Sequence, residues 1–309
     1  MNKHHYPKRP ARHAGVTLIE LAITIAVAGI LAALIVQFVV PVRSYIDTSR
    51  RAALADTADI ALRRIGRDLR LALPNSVRVS GKYVEFLLVR TGGRYRADTG
   101  SIATGTCNDG SGTTPANDLL IFSGSDSCFR SIGSIANYAQ ITASPSANLG
   151  DFLVIFNLPP ATTADPTGGT PNANAYEFAG TGGNKSRVMG KFTGTNQDGI
   201  IFDPNTFTYE SPGNRFFIVE GPVSYGCAGG TLTRYWGYTI SATQAAPPAG
   251  GSSAVMATGV TDCSFVYDTS IAAQGAGLVT MSLQLNMQDT RGTTETVSLY
   301  HSVHVNNQP

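Results

Sequence analysis

Gly15-Val16-Thr17-Leu18-Ile19-Glu20-Leu21 opens an apolar run that continues without a charged residue to Val42. The 22 residues from Leu21 to Val42 would reach about 33 Å as an α-helix at about 1.5 Å per residue, enough for the roughly 30 Å hydrocarbon layer of a bilayer. The stretch predicts a membrane-spanning helix with one acid, Glu20, at its start. A carboxylate costs about 2.5–3.5 kcal/mol at the centre of such a helix and less near an end, so Glu20 calls for a partner.

Cleavage after Gly15 would supply one. Val16 would then carry a new α-amino group, with Glu20 as the fifth residue of the shortened chain. Within a subunit the acid would lie in the first helical turn, where the macrodipole favours negative charge. Between subunits it would reach the terminal amine of a neighbour and set the axial register of packed helices.

A short basic leader, then Gly15, then Val16-Thr17-Leu18-Ile19-Glu20-Leu21, resembles the processing site of type IV pilins and type II secretion pseudopilins. The usual residue after the cut in that family is Phe, and this sequence has Val16, a conservative change for a membrane helix. The resemblance implies a prepilin peptidase/methylase acting at Gly15 and Val16, with other minor and major pilins and an inner-membrane assembly platform as further partners. It also implies a single-pass inner-membrane protein, its C-terminal head in the periplasm, that later moves into a fibre at the cell surface. In the head, Leu73–Val79, Gly93–Ala97, Asn214–Phe217, Pro222–Tyr225, Cys263–Tyr267, Gly277–Thr280 and His301–Asn307 resemble one branch of the family, the minor subunits of the mannose-sensitive haemagglutinin (MSHA) pilus. That branch implies a low-copy subunit that starts or caps a fibre. A type II secretion minor pseudopilin of the J kind and a non-polymerising membrane-anchored binding protein or enzyme are the rival readings.

The chain has 23 basic and 21 acidic residues, a net charge of +2. Lys3, Lys8, Arg9 and Arg12 lie before Gly15, so removal of residues 1–15 leaves 19 basic against 21 acidic residues and a net charge of −2. No basic patch argues for nucleic acid. The basic leader predicts that the N-terminus stays in the cytoplasm while the rest is exported. An ordinary signal peptide cut near Ala26-Val27-Ala28 is the alternative, but it leaves Glu20 and the continuing helix pattern unexplained.

Four cysteines, Cys107, Cys128, Cys227 and Cys263, suit an oxidising compartment. Three connectivities are open; the local pairs Cys107–Cys128 and Cys227–Cys263 each close a loop rich in Gly, Ser or Thr. There is no CxxC, and neither a metal nor a cofactor is expected.

The small residues Ala22, Ala26, Ala28, Gly29, Ala32 and Ala33 suit close helix packing, with Gly29 and Ala33 as a small-xxx-small pair, and Pro41 is expected to kink or loosen the helix. Leu54, Ala58, Leu62, Ile65 and Leu69 recur every three or four residues and predict an amphipathic helix as far as Leu73, with Pro74-Asn75 as its stop. Asp59 and Arg63 stand four apart on the other face.

Short apolar runs at Tyr83–Val89, Leu119–Phe122, Phe152–Asn157, Phe216–Glu220 and Leu232–Ile240 predict strands. Strict alternation over Val279–Met287 and Val297–Val305, separated by Asp289-Thr290-Arg291-Gly292, predicts a hairpin. Residues 159–199 and 241–258 read as long loops, the first with short strands near Tyr176–Phe178 and Val188–Phe192. The expected fold is α+β, one antiparallel sheet packed on a long helix. Its parts are a leader (1–15), a transmembrane half-helix (16–42), an amphipathic half-helix (43–73) and a β-rich head (74–309).

Enzymatic activity is not expected. His301 and His304, the only histidines after the leader, fall on opposite faces of a strand, and no GxSxG turn leads into a helix. Gly110-Ser111-Gly112 and Thr181–Lys185 lack the flanking strand and helix of a phosphate loop. Asp98, Asp109, Asp118 and Asp126 match no EF-hand spacing. Trp236 with Tyr235 and Tyr238 reads as strand core, with a sugar-stacking platform as the sharper alternative.

Overall fold

The computed structural model describes residues 15–96, 119–143, 150–159, 173–177, 182–194, 197–269, 275–288 and 292–309. The side chains of residues 38–41, 43 and 44 lie outside that description.

One α-helix, α1, runs from Leu18 to Arg70, 53 residues or about 80 Å at about 1.5 Å per residue. It continues through Pro41, which therefore does not end it; the effect of the proline side chain lies outside the described residues. In the second half the expected stripe is buried: Ala58, Leu62, Ile65 and Leu69, joined by Ala61, with Leu54 at the margin. On the opposite face Arg63 and Asp59 pair at 2.7 Å.

The helix stops three residues short of the expected Leu73 because a strand takes over its backbone. Leu73 N–H donates to the Leu87 carbonyl and Val89 N–H donates to the Leu71 carbonyl, both at 2.8 Å. Asn75 then turns in the left-handed region at φ 60°, a conformation that asparagine tolerates better than most residues.

The head is built from twelve antiparallel strands among the described residues. Nine of them form one sheet: β1 (Arg78–Ser80), β2 (Tyr83–Arg94), β3 (Asp126–Arg130), β4 (Phe152–Ile155), β5 (Lys185–Gly194), β6 (Gln197–Asn205), β7 (Arg215–Ala228), β8 (Thr231–Trp236) and β9 (Ser252–Thr258). The path is β1-β2-β7-β4-β5-β6-β3, with β8 and β9 branching from β7. The other three, β10 (Val260–Asp268), β11 (Ala276–Gln288) and β12 (Thr294–Asn306), form a second sheet in that order. The expectation of a single sheet is thus corrected to two. The predicted hairpin is β11–β12, although its turn residues 289–291 lie outside the described residues.

Strand β7 divides the larger sheet. One edge pairs with β2 along its whole length, while the other pairs first with β4 over Phe216–Val219 and then with β8 over Val223–Ala228. Gly221 (φ 119°) and Pro222 sit where the outer partner changes. A proline is tolerated there because its missing N–H faces a gap in the ladder.

Each limb has its own core. The β8 side packs Val84, Phe86, Val223, Tyr225 and Leu232 with the helix stripe and with Val279, Met281, Leu283, Leu285, Val303 and Val305 of the second sheet. The other limb, without help from the helix, buries Tyr95, Phe129, Phe202, Phe207 and Phe216 among aliphatic residues. The helix is tied to the larger sheet by a half-buried polar contact. Asp68 accepts from Tyr225 Oη at 2.6 Å and from Arg234 Nε at 3.1 Å.

Other expectations change as well. Leu119–Phe122 is not a strand; Leu120 N–H donates singly to the Arg96 carbonyl. Tyr176 lies in a turn and Phe178 lies outside the described residues. The presumed loop 241–258 contains β9, whose apolar Val255 is exposed, so it shows no alternation by which it might be recognised.

Candidate functional site at the helix N-terminus

Thr17 is the N-cap of α1, with extended backbone angles of φ −74° and ψ 151°. Its hydroxyl accepts from the Glu20 N–H at 3.3 Å. In return the Glu20 carboxylate accepts from the Thr17 N–H and hydroxyl, each at 3.5 Å and each on Oε2. This reciprocal capping box satisfies two of the four free N–H groups at the helix start. Thr17-Leu18-Ile19-Glu20 is the S/T-x-x-E pattern that signals such a start, a signal for Thr17 that the apolar run and the acid alone do not carry. Both bonds fall on Oε2, so Oε1 keeps its accepting capacity while the carboxylate sits on the positive end of the helix dipole.

The Gly15–Val16 peptide precedes the helix and is open. Nothing lies within 4 Å of where a Gly15 side chain would begin, and Val16 is 72% exposed. Residues 1–14 lie outside the described residues.

From Leu18 to Gln37 the helix is apolar on every side, and none of it is buried in the chain. Ile23, Ile25, Ile30, Leu31, Ile35 and Val36 are all exposed. A helix hydrophobic all round requires lipid or other helices as its surroundings, and these 20 residues are long enough to cross a bilayer. Thr24, a polar residue inside the run, returns its hydroxyl to the Leu21 carbonyl at 2.8 Å. Gly29 has open space beside it, so another helix can come close there. The structure therefore brings Gly15, Val16 and Glu20 together at one end of α1 and sets Gly29 along its free surface.

The remaining candidates are tied into the fold. Cys227 of β7 bonds Cys263 of β10 with an S–S distance of 2.06 Å and links the two sheets. Cys128 is also disulfide-bonded; Cys107 lies outside the described residues. His301 faces the helix, close to Gly66, and His304 points to the exposed face. The Asp126 carboxylate accepts from the N–H groups of Ile121, Ser127 and Cys128, which occupies it as a turn anchor; burial pushes its pKa up despite these bonds. Asp98, Asp109 and Asp118, with Gly110–Gly112 and Thr181, lie outside the described residues. No group of three or more metal-ligating side chains occurs among the described residues.

Trp236 is half-buried against the helix-side core, with the Arg234 guanidinium 5.0 Å from its ring. Tyr238 lies beyond the strand and donates to the buried Glu85 at 3.0 Å. Burial, with the Glu85 charge beside it, drives the Tyr238 phenol well above its ordinary pKa. The two rings therefore do not form one platform.

Residues 10–36 match the prokaryotic N-terminal methylation motif, the prepilin-type signal of type IV pilins. The motif supports a pilin- or pseudopilin-type protein that is processed by a prepilin peptidase and assembles with other pilins. It points to a structural subunit rather than an enzyme. No curated protein and no solved structure matches the chain.

Proposed function

We propose that this chain is a minor type IV pilin-like subunit, of the kind represented by the minor pilin-like protein O of the MSHA pilus, that initiates or caps a fibre. A prepilin peptidase cuts between Gly15 and Val16 and methylates Val16. The leader is then residues 1–15, the membrane half of the helix 16–42, the amphipathic half 43–73 and the periplasmic head 74–309. Cys107–Cys128 is the second disulfide of that head.

The observation that carries this reading is the methylation motif laid over an exposed apolar helix that begins at Glu20's capping box. In the membrane, lipid covers the Leu18–Gln37 surface. In a fibre, parallel helices replace the lipid, approaching closely near Gly29, with Pro41 at the junction to the head. Glu20 Oε1 accepts from the freed amine of a neighbouring Val16, so both charges leave the apolar environment as a pair. A head of this size beside a thin helix bundle suits the tip, where lateral crowding is least.

Mass spectrometry of the protein from its own cells tests the processing step. The expected N-terminus is Val16 bearing one methyl group; retention of residues 1–15 overturns the reading. Glu20→Ala tests the pairing: the variant is expected to stay membrane-bound with a folded head, while its recovery in sheared fibres falls at least about tenfold, as expected for loss of one charge-assisted bond. Wild-type recovery would remove the charge pair from the mechanism.

A further inference from the structure

Among the described residues, the outermost strand of the smaller sheet has a neighbouring strand on one side only. β12 pairs with β11 from Ala276 opposite Asn306 to Gln288 opposite Thr294, without a bulge, and no described strand lies on its other side. The phase of the ladder is set at its end. Asn307 N–H donates to the Gly275 carbonyl at 2.9 Å, and those two residues are opposite one another in the same register. Odd-numbered residues of β12 therefore exchange bonds with β11, and even-numbered residues aim their N–H and C=O groups outward. The far side of β11 agrees: Asn286, an even residue, donates to the Gly259 carbonyl at 2.9 Å.

The even-numbered residues from Thr294 to Asn306 thus present backbone donors and acceptors with no backbone partner among the described residues, over about 41 Å at about 3.4 Å per residue. Proteins blunt such an edge with lysine, proline, a bulge or a short strand. β12 uses none of these. Glu295 is its sole charged residue, and its outward-pointing Tyr300 is 73% exposed.

The direction of β12 narrows what can pair with it. A side chain at Gly66 would begin 2.9 Å from His301 Nε2 and 3.0 Å from Val303 Cγ2, while Asn75 N–H donates to Asn307 Oδ1 at 3.3 Å. Later strand residues meet later residues of the helix and its exit, so β12 runs in the same sense as α1. Its open edge faces sideways beside the helix, where a neighbouring subunit in a bundle of parallel helices would sit.

Two β12 edges cannot pair about an exact two-fold axis and keep their helices parallel. Antiparallel β12–β12 pairing about a two-fold axis reverses the second α1 and carries its apolar half away from a shared membrane. Parallel pairing about a two-fold along the strands sets equal-numbered residues side by side, whereas a parallel ladder needs an outward-pointing residue opposite an inward-pointing one. We infer that β12 accepts a strand from the head of a different subunit whose own helix runs beside α1, extending the three-stranded sheet by β-augmentation. This rests on the assembly reading, which makes neighbouring helices parallel.

The test compares proline positions in the full-length protein expressed in its own cells. Ser298→Pro and Ser302→Pro remove outward N–H groups that β11 does not use; Val297→Pro removes a bond shared with Leu285. The outward variants are expected to keep wild-type abundance, leader cleavage and melting temperature in detergent, while recovery in sheared fibres falls about tenfold or more. Val297→Pro is expected to melt lower. Tyr300→Lys, which leaves every backbone group in place and puts a charge on the edge, should also lower recovery. Amides of Ser298 and Ser302 should exchange quickly in the detergent-solubilised protein and become protected in the fibre.

If Ser298→Pro destabilises the protein as much as Val297→Pro, the assigned phase is wrong and the inference falls. Normal recovery of Ser298→Pro and Tyr300→Lys alongside a failing Glu20→Ala removes the edge inference and leaves the assembly reading standing. Normal recovery of all three removes both. A homodimer of the purified chain that Ser298→Pro abolishes overturns the assignment to a different subunit.

Discussion

Lys185, at the start of β5, is 7% exposed. Its Nζ donates to the Ala175 carbonyl at 2.6 Å and lies 5.6 Å from the centre of the Phe152 ring. Burial lowers its pKa from 10.5 to about 8, so the folded protein holds this ammonium less readily than the unfolded chain does. Between about pH 8 and 10.5 the unfolded state binds the extra proton, and stability contributed at this site rises with pH. Below pH 8 both states are protonated and the full cost of burying the charge is present, on the order of 3 kcal/mol. Lys185→Met should therefore be more stable than wild type at pH 7, with the difference shrinking towards pH 10. Urea melts of both proteins across that range check it, because the subtraction cancels the tyrosines that titrate at high pH. A difference constant with pH would count against the buried ammonium. Nothing in the linear sequence marks Lys185: its environment is assembled from β4, β5 and the turn at Ala175. Glu20, by contrast, was legible at once, because an acid in an apolar run is conspicuous in any fold.

Helix α1 is continuous as an element but divided in what it does. Ile65 is fully buried between the sheets, whereas Ile23 is 57% exposed on the apolar half. Ile65→Ala should lower head stability by about 2–4 kcal/mol, since it removes buried methyl groups and leaves a cavity. Ile23→Ala should leave it unchanged, and thermal melts of the detergent-solubilised protein would separate the two. Equal losses would mean that the apolar half packs on the head. The stripe from Leu54 to Leu69 was readable because its period of 3.6 is a local property. The end of the helix was not, because Leu71 and Leu73 are drawn into hydrogen bonds with β2, distant in sequence. The alternation of β11 and β12 was equally plain, each having one buried face. β3, β6, β9 and β10 were not anticipated; β3 and β9 lie at margins of the larger sheet, where little alternation is required.

Across the whole molecule, the two sheets meet around the helix stripe and are bridged by Cys227–Cys263. This bond closes a loop with a sequence separation of 36, which on chain entropy stabilises the fold by about 3–4 kcal/mol. Replacing both cysteines by serine should lower the urea midpoint accordingly while leaving membrane insertion intact; an unchanged midpoint would show that the sheets hold together by packing alone. Read by itself, the sequence determined the membrane-length helix, the methylation motif that runs over residues 10–36, the amphipathic continuation and the last hairpin. Each of these rests on a local composition or period. Only the tertiary structure decided that the strands divide into two sheets, that β7 changes partner at Gly221-Pro222, that Lys185 is buried, and which edge of β12 has no strand beside it among the described residues. Strand pairing joins residues far apart in the chain, and a strand's alternation records which face is buried but not which neighbour it bonds.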